Sequence, residues 1–458
     1  MSSTDTAFEA GQAEQLIACS RDYTGHELAY EDIREVQLAA LDERLQQRID
    51  RIRMVKLRAE EAGIDRIRSL DDIVALLLPH TAYKSYPENF LANKRWDRMT
   101  KWLSTVSTAT LDDVNLEGID DIDGWVARLE EHGHLISCSS GTTGNPALML
   151  STRYDAEFTA KDSNDGIEWG SSIKPDQSRR FFNLSMITAT PRGRAMGGKL
   201  IQAFGDPAQE HFLFPVPRVT IGSVTKMITL RKAVAEGRAS PSDIAEYEAE
   251  SSAREKLISE AIEKSAEALI AARGEKLFIN GMFGVMHPIA EAVRKRGHGG
   301  AEFHPENSVY LAGGTKRAQL PPNYKETILN TFNLNPPFIY QMYGMQEIQS
   351  AMPRCKQGGR YHIPPWLVCL PLDKQGECLM PGIGEGIVEG RAAFFDLSMQ
   401  GRWGGVISGD HIQVDYRPCA CGARSPSIRD DIYRYADIQG DDKIACSGTI
   451  DAYVRGMS

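Results

Sequence analysis

Ser137-Cys138-Ser139-Ser140-Gly141-Thr142-Thr143-Gly144-Asn145-Pro146 is a run of small, mostly hydroxylated residues between two apolar stretches. Before it, His134-Leu135-Ile136 reads as the end of a short buried strand; after it, Ala147-Leu148-Met149-Leu150 reads as another. The run is therefore expected to be a loop between strands. Its two glycines let the backbone turn sharply and approach a ligand, while hydroxyls and a row of N–H groups can surround an anion. It is not a Walker loop, because no Gly-Lys-Ser/Thr follows at the required spacing. Ser, Gly and Thr also make ordinary polar turns, so order and company must decide between a turn and a phosphate loop.

The rest of the chain bounds the choice. Its 458 residues suffice for an extensive core. A formal net charge of -10 and a pI near 5.6 argue against nucleic acid or an anionic membrane as partner. No apolar run approaches the roughly 20 residues of a membrane span. Met1-Ser2-Ser3-Thr4-Asp5 lacks the basic-then-apolar order of a signal peptide, so a cytoplasmic location is expected. Eight cysteines in so long a chain point to reduced thiols or a metal site rather than a disulfide framework.

From about Leu28 to Ala62 the apolar residues recur near helical spacing, and helical character continues from Ser69 to Leu129, interrupted at Lys84-Ser85-Tyr86-Pro87. Trp96 and Trp102, among basic neighbours, are expected in the core. Arg179 to Met186 reads as a strand entering a loop, Thr188 to Gly198, whose Arg192 and Arg194 are either anion ligands or plain exposed arginines. Ser240-Pro241-Ser242-Asp243 starts a helix that runs toward Arg273. Three β-type runs then end in glycine: Lys276 to Gly281, Ser308 through Gly313-Gly314-Thr315, and Phe338 to Gly344. A helical pattern from Val285 to Arg296 separates the first two, which implies parallel strands joined by crossovers. Ligands of such sheets sit at the strands' carboxyl ends, so the three glycine ends are expected in one cleft.

Taken in order, Ser-Ser-Gly-Thr-Thr-Gly-x-Pro at Ser139 to Pro146, Tyr343-Gly344-Met345-Gln346-Glu347 and Ser408-Gly409-Asp410 resemble the nucleotide motifs of the adenylate-forming superfamily. That superfamily contains acyl-CoA synthetases, peptide-synthetase adenylation domains and firefly luciferase. The resemblance implies that Ser139, Ser140, Gly141, Thr142, Thr143 and Gly144 bind the ATP phosphates, with Thr142 and Thr143 serving catalysis. It further implies that Gly313, Gly314 and Thr315 form the adenine loop, that Tyr343 and Gly344 lie at the base, and that Glu347 coordinates Mg²⁺ and is catalytic. Asp410 would accept hydrogen bonds from the ribose. Two departures stand out: Asn145 occupies a position usually held by Lys, and Gln346 replaces the usual hydroxyl residue.

Arg417-Pro418-Cys419-Ala420-Cys421-Gly422 looks like a segment of the phenylacetate–CoA ligase branch, which includes coenzyme F390 synthetase, and Cys355 and His362 supply a second half. Three thiolates and one imidazole would make a closed, structural Zn²⁺ site; four unrelated side chains are the alternative. Gly440-Asp441-Asp442-Lys443-Ile444 resembles the family's hinge, with Lys443 and either Arg434 or Arg429 as nucleotide-side cations. Full-length relatives continue into a mobile C-terminal domain, whereas this sequence ends at Ser458.

The expected architecture is α/β: the large N-terminal domain of an adenylate-forming enzyme, with parallel-sheet subdomains, flanking helices and a small β-rich subdomain. Its expected parts are a helical region over 1–130, an ATP- and acyl-binding core over 131–365, and a β-rich subdomain with truncated hinge over 366–458. The implied activity is ATP-dependent adenylation of a small carboxylic acid, then transfer to CoA, an amine or an acceptor protein; a homodimer is compatible with it. Nucleotidyl transfer to a non-carboxylate and a noncatalytic nucleotide-binding scaffold are the alternatives.

Overall fold

The computed structural model describes residues 11–139, 145–185, 189–311 and 319–439. Its N-terminal part is helical, and the helix Tyr30–Arg48 shows why. Ile33, Gln37, Ala40, Leu41, Arg44, Leu45 and Arg48 fall on one buried stripe at the helical period, and the Asp32 carboxylate accepts the Ala29 N–H at the start, 2.8 Å away. Each polar member of this stripe donates to at least one backbone carbonyl, and Arg44 also pairs with Glu14. Gln37 donates to Pro365 O at 2.8 Å, Arg44 to Leu397 O at 3.0 Å, and Arg48 to Met399 O, Arg402 O and Trp403 O. Buried guanidinium groups without such acceptors would cost several kcal/mol each. Helices Arg53–Ala62, Leu70–Leu76, Trp96–Thr105 and Ile122–Glu131 complete this region. Trp96 and Trp102 are buried, as expected of core residues.

Leu135–Ser139 and Ala147–Ser151 pair antiparallel, with Leu135 opposite Ser151 and Ser139 opposite Ala147. The hydroxyl-rich run is thus the connection of a hairpin. Its far shoulder is tied down: Asn145 Nδ2 donates to Tyr86 O at 2.7 Å and to Lys84 O at 3.3 Å, and Tyr86 Oη donates to Pro146 O at 2.8 Å.

The second layer is a parallel sheet in the order Phe212–Leu213, Arg180–Leu184, Leu277–Gly281, Ser308–Leu311, Ile339–Tyr343, with Met352–Pro353 added antiparallel at one edge. Phe181, Phe182, Leu277, Phe278, Ile279 and Val309 are all buried, because helices cover both faces of a parallel sheet. Phe283–Lys295 is the crossover between the parallel neighbours Leu277–Gly281 and Ser308–Leu311, which fall in the first two glycine-ending runs, as its period suggests. Ser240 caps Pro241–Ala271 through a capping box with Asp243.

One expectation is corrected. The described part of the stretch read as a loop is largely helical: Pro191–Phe204 is a helix, started by Thr190, whose hydroxyl accepts the Gly193 N–H, and by Pro191 in its first turn. Gly193, Gly197 and Gly198 lower helix propensity and hide the period, but packing on the helix Arg153–Gly170 outweighs that loss.

The third layer is a mostly antiparallel sheet built on the long pair Ile387–Asp396 and Gly405–Asp415, flanked by Leu367–Cys369 and by Ser427–Ile428 with Tyr361–His362. Leu78–Pro79, from the helical region, joins it in parallel beside Val406–Ile407. One hydrophobic core therefore runs from the N-terminal helices through the hairpin to Trp366, Phe395 and Trp403. Among the described residues no helix is long and apolar enough to cross a membrane.

Candidate active site and thiolate cluster

At the carboxyl end of Ile339–Tyr343 the chain leaves the parallel sheet and passes over the β-rich one. There Tyr343 Oη donates to Asp410 Oδ2 at 2.8 Å, although the two residues are 67 positions apart. Burial, and then the Asp410 carboxylate, push the Tyr343 phenol well up, so it keeps its proton and donates it. The other oxygen, Asp410 Oδ1, faces Arg434 Nε at 3.3 Å. Arg434 is held there by the register that pairs Asp410 with Arg434 and His411 with Tyr433. His411 and Tyr433 stack at 4.5 Å, and the Arg391 guanidinium lies over the Tyr435 ring at 4.3 Å. Asp410 is thus a nearly buried carboxylate fixed from both sides.

Glu347 follows within four residues of Tyr343, on a segment whose backbone is clamped by buried ions. Arg192 donates to Gln346 O and Ile348 O, both at 3.1 Å, and Arg402 donates to Gln346 O at 3.3 Å. Asp396 Oδ2 accepts the N–H groups of Gln349 and Ser350 at 2.9 Å each. Burial lowers the Arg192 pKa to about 10, which leaves it charged at neutral pH. The carbonyls before and after Glu347 are therefore engaged, and its own half-buried carboxylate has no hydrogen-bond or ion-pair partner among the described residues. A carboxylate held on a fixed backbone with free oxygens suits a hard cation carrying phosphates. Arg192, one of two arginines open to an anion-binding reading, serves this clamp instead. Arg194 pairs with Glu130 at 2.6 Å.

A third group meets Glu347 from the helical region. Burial lowers the Lys84 ammonium pKa, the Glu347 carboxylate opposes that, and Arg434 reinforces it, so all three charges share one neighbourhood. Nothing in its own surroundings in the sequence marks Lys84. The only signal is indirect, the uncharged Asn145 in the hairpin connection that binds the Lys84 carbonyl.

Ser139 ends its strand half-buried and Gly344 is exposed. Ser140, Gly141, Thr142, Thr143, Gly144, Gly313, Gly314, Thr315 and Lys443 lie outside the described residues.

The cysteines converge. The ligating atoms of Cys355, His362, Cys419 and Cys421 all lie within 4.8 Å of one another. Cys355 Sγ and Cys419 Sγ are 3.7 Å apart, too far for a disulfide, and Cys421 Sγ is 3.5 Å from His362 Nε2. Tetrahedral zinc, with Zn–S near 2.3 Å and Zn–N near 2.0 Å, needs separations of ~3.8 Å and ~3.5 Å. The residues fit the ion. Turns shape both halves: Gly359 N–H returns to Cys355 O, and Gly422, at φ +93°, returns its N–H to Cys419 O. Burial raises the Cys355 thiol, but the hydrogen bond with His362 and the Arg360 N–H pull it down to about 6. His362 Nδ1 meets Ser425 Oγ at 3.0 Å, and Ser425 Oγ meets the buried His26 Nδ1 at 3.3 Å, contacts that orient the imidazole and that the sequence does not announce.

No family model and no curated protein matches the chain. Among solved structures, it is similar to the McyG A-PCP complexed with phenylalanyl-adenylate, at TM-score 0.36 and 12% identity over 65% of this chain and 47% of that one. It is similar to ATP-bound MatB from Rhodopseudomonas palustris at TM-score 0.34 and 13% identity, over 64% and 47%. An acyl-CoA synthetase (AMP-forming)/AMP-acid ligase II-like protein from Dyadobacter fermentans gives TM-score 0.32 and 12% identity, over 72% and 68%. Two of these three structures hold a ligand, phenylalanyl-adenylate in the first and ATP in the second. The chain spans about half the length of the first two. Overlap at this level carries no argument about chemistry, which is left to the residues.

Proposed function

We propose that the protein is an adenylate-forming ligase that joins the carboxylate of a small acid to the α-phosphorus of ATP. The observation that carries this reading is the Tyr343–Asp410 hydrogen bond, which brings two separate nucleotide-type motifs together beside an unpartnered Glu347. In this reading Asp410 accepts the ribose hydroxyls, and Glu347 holds a Mg²⁺ ion, which would supply charge neutralisation to the phosphates. A substrate carboxylate oxygen attacks the α-phosphorus, the α–β bridging bond breaks, and its electron pair leaves with pyrophosphate. The protein's part is positioning and electrostatics rather than proton transfer, since a carboxylate is already a nucleophile. The acyl group of the resulting acyl-AMP then passes to CoA, an amine or a protein acceptor.

The thiolate cluster has all four positions filled by protein, which suits a structural zinc with no reactive water. It would tie the segment after Glu347 to the segment after Asp410, because Cys355 follows the first and Cys419 and Cys421 follow the second.

Isotope exchange between pyrophosphate and ATP, screened over carboxylic acids, tests the reading. Acid-dependent exchange is expected. Exchange supported by a non-carboxylate acceptor and by no acid would favour nucleotidyl transfer, and ATP binding without exchange under either condition would favour a scaffold.

A further inference from the structure

We infer that His26, in the N-terminal segment Thr24–Glu27, is a positioning residue for the thiolate cluster, so that seating of this segment and binding of the metal strengthen each other. The inference rests on the zinc reading given above, and adds a residue from outside both halves of the cluster.

The contacts form one chain across three segments. His362 Nδ1 lies 3.0 Å from Ser425 Oγ, and Ser425 Oγ lies 3.3 Å from His26 Nδ1, 399 positions earlier in the sequence. His362, Ser425 and His26 are all buried, so these groups depend on one another for partners. A cation at His362 Nε2, the nitrogen that faces Cys421 Sγ, leaves the proton of the neutral ring on Nδ1. Nδ1–H must then donate to Ser425 Oγ. The serine proton is left to point at His26 Nδ1, which accepts it. Metal binding thus fixes the direction of each hydrogen bond in the chain. Without the metal, either tautomer of each ring satisfies the serine, and that order is lost.

The backbone seats the same segment. His26 O accepts the N–H groups of Arg424 at 2.9 Å and of Ser425 at 3.1 Å, just after Cys421, and Arg424 pairs in turn with Asp32 at 3.2 Å. Trp169 lies against both imidazoles, its ring centroid 4.3 Å from that of His26 and 5.2 Å from that of His362. Gly25 is packed so closely that a Cβ there would overlap Pro365. Tyr23, at the start of the segment, holds φ +54°, a strained left-handed backbone that persists only where its surroundings enforce it. Seating therefore has a cost that the His26 contacts offset, and two equilibria that share those contacts are linked reciprocally.

Zinc release to a chromogenic chelator, and backbone hydrogen exchange of residues 20–28, test the linkage on the full chain. Ser425→Ala, and His26→Phe, which removes the acceptor but keeps a ring, are expected to weaken zinc binding by about 10- to 100-fold. Ser425→Thr, and His26→Asn, whose Oδ1 stands in for Nδ1, should recover most of it; lost packing alone would not be restored by the smaller Asn. Gly25→Ala, which alters no member of the chain, should also weaken zinc binding. Stripping zinc from the wild-type protein should raise exchange across 20–28, and adding it back should restore protection; this measurement stands even where a variant fails to fold. Wild-type zinc affinity in both Ser425→Ala and His26→Phe, losses that neither conservative variant restores, or exchange across 20–28 that ignores the metal would overturn the linkage while leaving the zinc site standing. Wild-type protein that binds no zinc would overturn both.

Discussion

Gly358 lies so close to Cys419 that a Cβ on residue 358 would stand 2.1 Å from Cys419 Sγ and 3.3 Å from Cys355 Sγ. A methyl group there must push the two thiolates apart, and a metal site tolerates shifts of only a few tenths of an ångström. Gly358→Ala is expected to lower bound zinc severalfold and to cost about 1–3 kcal/mol of stability. Cys421→Ser should also lose zinc and melt earlier, with ATP binding affected only through the loosened loops. Elemental analysis of protein purified without added metal decides the matter. Well under one zinc per wild-type chain, or full retention in both variants, contradicts the site.

Glu347→Gln keeps the side chain's size and removes its charge. The bonds from Arg192 and Arg402 go to neighbouring carbonyls, so the backbone should hold and the melting temperature should not move. Acid-dependent exchange is expected to fall about 100-fold, equivalent to ~2.7 kcal/mol of lost transition-state stabilisation. Undiminished Mg²⁺-dependent exchange would remove Glu347 from the metal site.

Asp410→Ala deprives the ribose of an ionised acceptor, a hydrogen bond worth about 1.5–3 kcal/mol, and leaves the Tyr343 hydroxyl without its partner. A raised ATP requirement is expected, measured as the ATP concentration for half-maximal exchange. Tyr343→Phe should be milder, because Asp410 keeps both oxygens for the nucleotide. Equal use of ATP and 2′,3′-dideoxy-ATP by the wild-type protein would contradict the ribose role.

Asp415 predicts how the protein fails in acid. It is fully buried, yet hydrogen bonds from Arg417, with Arg360 and Arg429 alongside, outweigh that burial and hold its pKa at about 2. A carboxyl group depressed on folding contributes stability above its unfolded pKa and loses it as pH falls through the folded one. The contribution, about 2.5 kcal/mol, should vanish between roughly pH 4 and pH 2. Asp415→Asn should flatten that part of the stability curve measured by urea unfolding; an unchanged slope would show that the arginine cluster is not coupled to folding.

Local patterns made part of this protein legible without coordinates. Apolar runs on either side of Ser137 to Pro146 announced a loop between strands, and the runs ending at Gly281, Thr315 and Gly344 announced parallel strands, because a strand buried on both faces leaves an uninterrupted apolar signature in the chain. The cap at Ser240 and Asp243 announced the long helix for the same reason, since its hydrogen bonds span only three residues. The convergence of Cys355, His362, Cys419 and Cys421 was anticipated from two half-sites of metal-binding residues together with the family resemblance, with four unrelated side chains as the alternative, and the four do come together.

Tertiary structure decided what local signals cannot encode. The helix Pro191–Phe204 forms despite three glycines because its neighbours bury it. Leu78–Pro79 becomes a strand only because Val406–Ile407 offers it an edge. Tyr343 meets Asp410, Arg192 clamps the carbonyls around Glu347, and Lys84 reaches the same point from far earlier in the sequence. An isolated Lys, Arg or Tyr has the same side-chain chemistry anywhere in a chain. Its role is set by which charges and carbonyls packing brings within a few ångströms, and how far they are withdrawn from water.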